Sequence, residues 1–196
     1  MGSLTTGPAW YLMRGSGVMT LILLTGVVVL GIATSNHAQI QRLPRFATLA
    51  LHRSVSLLAV VFLAIHVVTA IVDPYAAVRV VQVMLPLPSG AYAFWLGLGA
   101  LSLDVLAAVI VTSLLRQHMS RRVWRNVHWL AYASWPLAFG HSVGIGTDSS
   151  SAWFIGVAVT CSAAIVGTVL WRLSWVDRAL PKSLGSPLRS TEKRAA

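Results

Sequence analysis

The 196-residue chain is 56% hydrophobic and only 10% charged, with a mean hydropathy of +0.74, which excludes an ordinary water-soluble domain and puts it in lipid. Its net charge of +10 would serve nucleic acid only on a solvent-exposed basic face; the arginines stand in short stretches between apolar runs, so no nucleic-acid partner is expected. The single cysteine, Cys161, lies in an apolar run, which excludes an intramolecular disulfide or a thiolate metal cluster.

A helix needs about 20 apolar residues to cross the hydrocarbon core, and five stretches qualify: 10–33, 51–72, 92–115, 124–144 and 151–172. The first differs from a signal peptide because its apolar run from Gly17 to Ala33 is too long and lacks a clean small-x-small cleavage site. The second and fourth each carry two histidines and no other conventional ionisable group in their apolar interiors. The third carries Asp104 near its centre, and the fifth has a face of small residues, Gly156, Ala163, Ala164 and Gly167, suited to close helix packing. The expected fold is an all-α membrane protein, a five-transmembrane-helix bundle forming one domain over 1–179. A loose cytoplasmic tail, 180–196, follows it.

The basic residues set the expected topology. Arg42, Arg45 and Arg53 follow the first span, and Arg116, Arg121, Arg122 and Arg125 follow the third. Arg172, Arg178, Lys182, Arg189, Lys193 and Arg194 follow the fifth, leaving Arg14 and Arg79 for the opposite side. The positive-inside rule then puts the N-terminus outside and the C-terminus in the cytoplasm. Trp10, Trp95 and Trp153 would mark the outer interface, and Trp124, Trp171 and Trp175 the inner one.

His52 and His66 stand 14 residues apart, and His128 and His141 stand 13 apart; at 1.5 Å per residue the two pairs are separated by about 21 and 20 Å along their helices. The two spans run the same way, so His52 comes level with His128 near the cytoplasm and His66 with His141 near the outside. Each level then offers the two axial imidazoles that a low-spin b-type heme requires. Fourteen steps of about 100° leave His52 and His66 only about 40° out of phase, but thirteen leave His128 and His141 about 140° apart. That pair needs a local distortion, for which Pro136 and Gly140 are candidates, or a few tighter 3₁₀ steps. The alternatives are a membrane transporter or scaffold with structural histidines. An imidazole-lined metal pathway would cluster its ligands instead of spreading them across the membrane. His37 and His118 fall in expected loops and read as solvated.

The segments "HRSVSLLAVVFLAIH", from His52 to His66, and "HWLAYASWPLAFGH", from His128 to His141, resemble the ferric reductase-like transmembrane domain family. It includes the membrane domains of NADPH oxidases and ferric reductases and the heme-binding subunit of a bacterial methionine-sulfoxide reductase system. The resemblance covers all five spans. It implies two heme b groups, with His52 and His128 on the inner iron and His66 and His141 on the outer one. It also implies a multi-pass protein of a cell membrane, bacterial and cytoplasmic by its likeness to the bacterial electron-transfer subunits. No GxGxxG-type nucleotide loop is present and only 173–196 follows the last span, so no flavin site is expected in this chain. Electrons would come from a separate flavoprotein reductase or a quinol and leave to an extracytoplasmic acceptor. The chain would be the electron-transfer subunit of an oxidoreductase system, with no catalytic residues of its own. A quinone-linked cytochrome b is the rival reading.

Arginines suit heme propionates through planar, bidentate hydrogen bonding. Arg53, next to a ligand, and Arg125, three residues before His128, are candidates at the inner level, with Arg45 weaker; Arg14 and Arg79 are the outer candidates. Topology alone explains the same arginines. Trp135, midway between His128 and His141, and Phe62 in the second span are candidates for the electron path or for plain packing. Asp104 is a candidate proton or quinone site, or a protonated, hydrogen-bonded structural residue.

Overall fold

A computed structural model of the chain describes residues 7–35, 45–74, 78–84, 92–146 and 148–179. The described residues are helical, with no strand: α1 (Pro8–Ser35), α2 (Arg45–Val72), α3 (Val80–Met84), α4 (Ala93–Leu114), α5 (Arg121–Trp129), α6 (Ala131–Ile145) and α7 (Ala152–Ala179), with a 3₁₀ turn at Arg116–His118 before α5. Helices are what an apolar solvent demands, since every backbone N–H and C=O must be satisfied within the segment. The polar side chains obey the same rule: Thr20 donates to Ser16 O (2.7 Å), Thr25 to Leu21 O (2.8 Å) and Ser56 to His52 O (2.7 Å), each within its own helix.

Four helices, α1, α2, α4 and α7, are long and apolar enough to cross a membrane. The expected 124–144 span differs: it is two helices, of 9 and 15 residues, meeting at Leu130. The backbone tightens there, with Leu130 N–H donating to Val127 O and Ala133 N–H to Leu130 O, both at 2.9 Å and both three-residue bonds. This is the 3₁₀ tightening that the phase of His128 and His141 demanded, placed one to two turns before Pro136, which itself sits inside α6. The short α5 opens with Ser120, whose hydroxyl accepts from Val123 N–H at 3.3 Å. Its Arg121, Arg122 and Arg125 are exposed, a composition fit for a membrane interface and not for the hydrocarbon core. The 180–196 tail, His37 and Arg42 lie outside the described residues.

The helix at the centre is α1. It packs along α2 and also touches α6 and α7, while α6 lies on α4. Its buried residues, among them Leu21, Leu24, Val28 and Ile32, form the core. By contrast α2 shows Leu57, Leu58, Val61 and Val68 on its outer surface, as a helix in lipid can, because apolar tails remove any hydrophobic penalty for doing so. Hydrogen bonds also join neighbouring helices: Ser102 Oγ of α4 donates to Ser134 O of α6 at 2.9 Å, and Trp135 Nε1 of α6 donates to Thr25 Oγ1 of α1 at 2.8 Å.

Candidate functional site

Three helices carry the histidines: α2 holds His52 and His66, α5 holds His128 and α6 holds His141; α2 rests on α1, α5 and α6 rest on α4, and α2 has no more than marginal contact with α5 or α6. The imidazoles face one another across the opening this leaves. His66 and His141 have ring centroids 6.2 Å apart with planes at 80°. At the other end of the bundle His128 lies within electrostatic range of His52 and Arg116. The structure thus brings His66 and His141 ring to ring at one end and His128 within electrostatic range of His52 at the other, with Trp135 and Phe139, stacked at 5.1 Å, between them on α6.

The ring nitrogens are not treated alike. His66 Nδ1 bonds Met13 O of α1 at 2.8 Å, and His141 Nδ1 bonds Trp95 O of α4 at 3.0 Å. A carbonyl only accepts, so Nδ1–H is the donor; in the neutral ring this tautomer leaves the lone pair on Nε2, the state in which imidazole ligates a metal. His52 is aimed at Val27 O of α1 without completing a hydrogen bond, and His128 Nδ1 has no partner either. His128 instead stacks on Trp124, one turn earlier on the same helix face, at 4.9 Å and 22°. The Arg116 guanidinium covers the Trp124 ring at 4.6 Å. The sequence reading missed Arg116 as a site neighbour and took Trp124 only for an interface marker; the four-residue spacing of Trp124 and His128 was the available signal.

Two imidazoles at 6.2 Å leave room for one metal ion bound at about 2 Å by each ring. Among the described residues no group of three His, Cys, Asp or Glu side chains gathers as a bare ion would need. Two ligands per level are what the protein contributes when a macrocycle fills the other positions on iron. The residues fit a heme at this level by donor type, number and separation.

The other candidate residues are scattered around these pairs. The Arg14 side chain is ion-paired with Asp148 and covers the Trp10 ring at 4.2 Å. Arg14, Trp10, Tyr11, Asp148 and Trp153 line a cavity of about 500 Å³ on the face of α1 turned away from His66. Arg53, Arg79 and Arg125 are exposed, the side chain of Arg45 lies outside the described set, Phe62 is half-buried, and His118 is exposed in its 3₁₀ turn. Asp104 is exposed at the midpoint of α4.

A family model described as the ferric reductase like transmembrane component matches residues 16–139. The match takes in His52, His66 and His128 and ends two residues before His141. No curated protein and no solved structure matches the chain.

Proposed function

The chain belongs to the ferric reductase-like transmembrane family, and from that premise we propose that it is a di-heme b-type membrane cytochrome that carries electrons from a cytoplasmic flavoprotein or quinol to an extracytoplasmic acceptor. One observation carries the reading: His66 of α2 and His141 of α6 stand ring to ring with centroids at 6.2 Å; the electrostatic contact of His52 with His128 at the other end of the bundle supports a second pair. In this reading His66 and His141 hold the outer heme, and His52 and His128 the inner one. A bound heme supplies a one-electron Fe(III)/Fe(II) couple.

The chain's own residues do the rest. The carbonyls of Met13 and Trp95 hold the outer imidazoles by Nδ1 and fix their orientation. Trp124 and Arg116 wall the inner one, with Arg53 and Arg125 exposed at the same end and free to meet propionates or the polar headgroups. Trp135, pinned to Thr25, keeps α6 in register with α1 between the two levels and excludes water there. A second reading, a quinol-linked cytochrome, draws on Asp104, whose exposed position at the midpoint of α4 opens a carboxyl to lipid-soluble molecules.

The test is a reduced-minus-oxidised visible spectrum with heme quantitation on the purified chain, repeated on His66→Ala and His128→Ala. Two hemes in the parent and one in each variant are expected. A folded parent without heme absorption would sink the proposal in favour of a transporter or scaffold. Reduction by quinol alone, abolished in Asp104→Leu, would move the assignment to the quinone-linked form.

A further inference from the structure

The histidines of α2 meet α1 at a repeated feature. A Cβ built on Gly17 would stand 2.9 Å from both Cε1 and Nδ1 of His66, and one built on Gly31 would stand 3.6 Å from Cε1 of His52. Gly17 and Gly31 are 14 residues apart, the same interval as His52 and His66, so two antiparallel helices bring glycine to imidazole twice in one register. The carbonyl each ring approaches is the one four residues before its glycine: Met13 for Gly17 and Val27 for Gly31.

The pattern recurs between α4 and α6. His141 Nδ1 bonds Trp95 O, and four residues on stands Gly99, where a Cβ would lie 2.5 Å from Nδ1, 2.7 Å from Cε1 and 2.9 Å from Cγ of that ring. In an α-helix the carbonyl of residue i already accepts from the N–H of i+4. Its second lone pair is normally shielded by the side chain at that position, and glycine uncovers it. The fourth histidine lacks this arrangement. The position 14 residues beyond Gly99 is Ser113, exposed on α4, and His128 Nδ1 is without a partner.

We propose that Gly17 and Gly99 are positioning residues for the His66 and His141 pair: each is a notch through which the imidazole reaches the backbone carbonyl one turn earlier, fixing its tautomer and aiming Nε2 at the iron. The inference rests on the heme reading of the two histidine pairs. Gly31 serves His52 in a looser form, because at 3.6 Å an added methyl makes ordinary contact.

The test uses alanine, which favours the helix by about 1 kcal/mol over glycine, so a loss of heme cannot be laid to a weaker helix. Gly99→Ala and Gly17→Ala are compared with Gly97→Ala and Gly15→Ala, on the same helices two residues away, where a Cβ meets nothing within 4 Å. The readouts are heme per chain and the low-spin EPR spectrum of the oxidised protein. Gly99→Ala and Gly17→Ala should each lose the outer heme, halving the heme content, or retain it with a shifted low-spin signal. Gly97→Ala and Gly15→Ala should keep both hemes.

A parent with two hemes whose Gly99→Ala and Gly17→Ala variants keep both, with an unchanged EPR signal, would overturn the notch and leave the cytochrome assignment standing. A parent without heme would instead end that assignment. To separate notch from fold, Gly99→Ala is also placed in a His141→Ala background. If Gly99 acts through His141, the second change costs no further heme and leaves the melting temperature in place. Loss of the inner heme there would show general packing damage and refute the positioning role.

Discussion

The two histidine levels are built from the same residue type, each with one ring from α2 and the other from α5 or α6, yet they differ in what holds the rings. At the His66 and His141 level both Nδ1 atoms are tied to backbone carbonyls of neighbouring helices and both rings sit against a glycine. At the His52 and His128 level neither Nδ1 completes a hydrogen bond; His128 is walled by side chains, Trp124 and Arg116, and His52 meets Gly31 of α1 only at ordinary contact distance. The first environment is backbone and nearly invariant in position. The second is built from rotatable groups beside an amphipathic helix with exposed arginines. An imidazole locked by backbone should give a sharply defined ligand field, and one walled by side chains a more adaptable one.

The largest expected effect comes from removing a locked ligand. His141→Ala should lose one of two hemes and strand the Trp95 carbonyl and the His66 ring. Added imidazole should restore little of it, because Gly99 and Trp95 shaped the vacated space for a tethered ring. His128→Ala should be rescued better at the side-chain-walled level. Equal rescue by heme titration with and without imidazole would break the comparison. Next comes Ser102→Val, which removes the tie to Ser134 O and enlarges a residue only 3% exposed. Overpacking of this kind costs about 1–3 kcal/mol, and thermal melting of the purified protein should fall while both heme signals keep their shape.

Much of this site was legible in the sequence because its signals were intervals. The 14- and 13-residue spacings pointed to two histidine-bearing spans and two levels, and the 140° phase error between His128 and His141 pointed to an irregularity in the fourth span, which the structure divides into α5 and α6. The location of the bend was less legible. Pro136 is the visible helix breaker, yet the backbone tightens at Leu130, where the basic amphipathic α5 meets the apolar α6 and the change of environment coincides with the change of helix. Gly17 was read only as the start of an apolar run and Gly31 and Gly99 were given no role, although Gly17 and Gly31 repeat the histidine interval on the preceding span. Their role appears only when α1 and α2 are known to run antiparallel in contact. Arginine roles were least legible: a guanidinium near a membrane surface has several partners within reach, and Arg14 is taken by Asp148 and Trp10.

Trp124→Leu probes the adaptable level directly. The stacked pair of Trp124 and His128 is worth about 0.5–1.5 kcal/mol beyond its buried area, so the inner heme should bind several-fold more weakly while the outer one is untouched. Heme titration followed by EPR distinguishes the two, and a change confined to the outer signal would invert the comparison.

The smallest expected effect tests whether the levels are mechanically joined. Trp135→Phe keeps the ring that stacks on Phe139 and removes only the 2.8 Å bond to Thr25 Oγ1, a neutral hydrogen bond with a net value of about 1 kcal/mol. Thr25 loses no donor satisfaction, since its hydroxyl already bonds Leu21 O. The melting temperature should therefore drop by a few degrees at most, with heme content unchanged. Because α1 carries Gly17 and Gly31 and α6 carries His141 and follows directly on the α5 that carries His128, a slip between them would be felt at both ends of the bundle. A shift of both low-spin signals together in Trp135→Phe would show that the two levels share one rigid frame, and a shift of neither would show that each is held by its own neighbours.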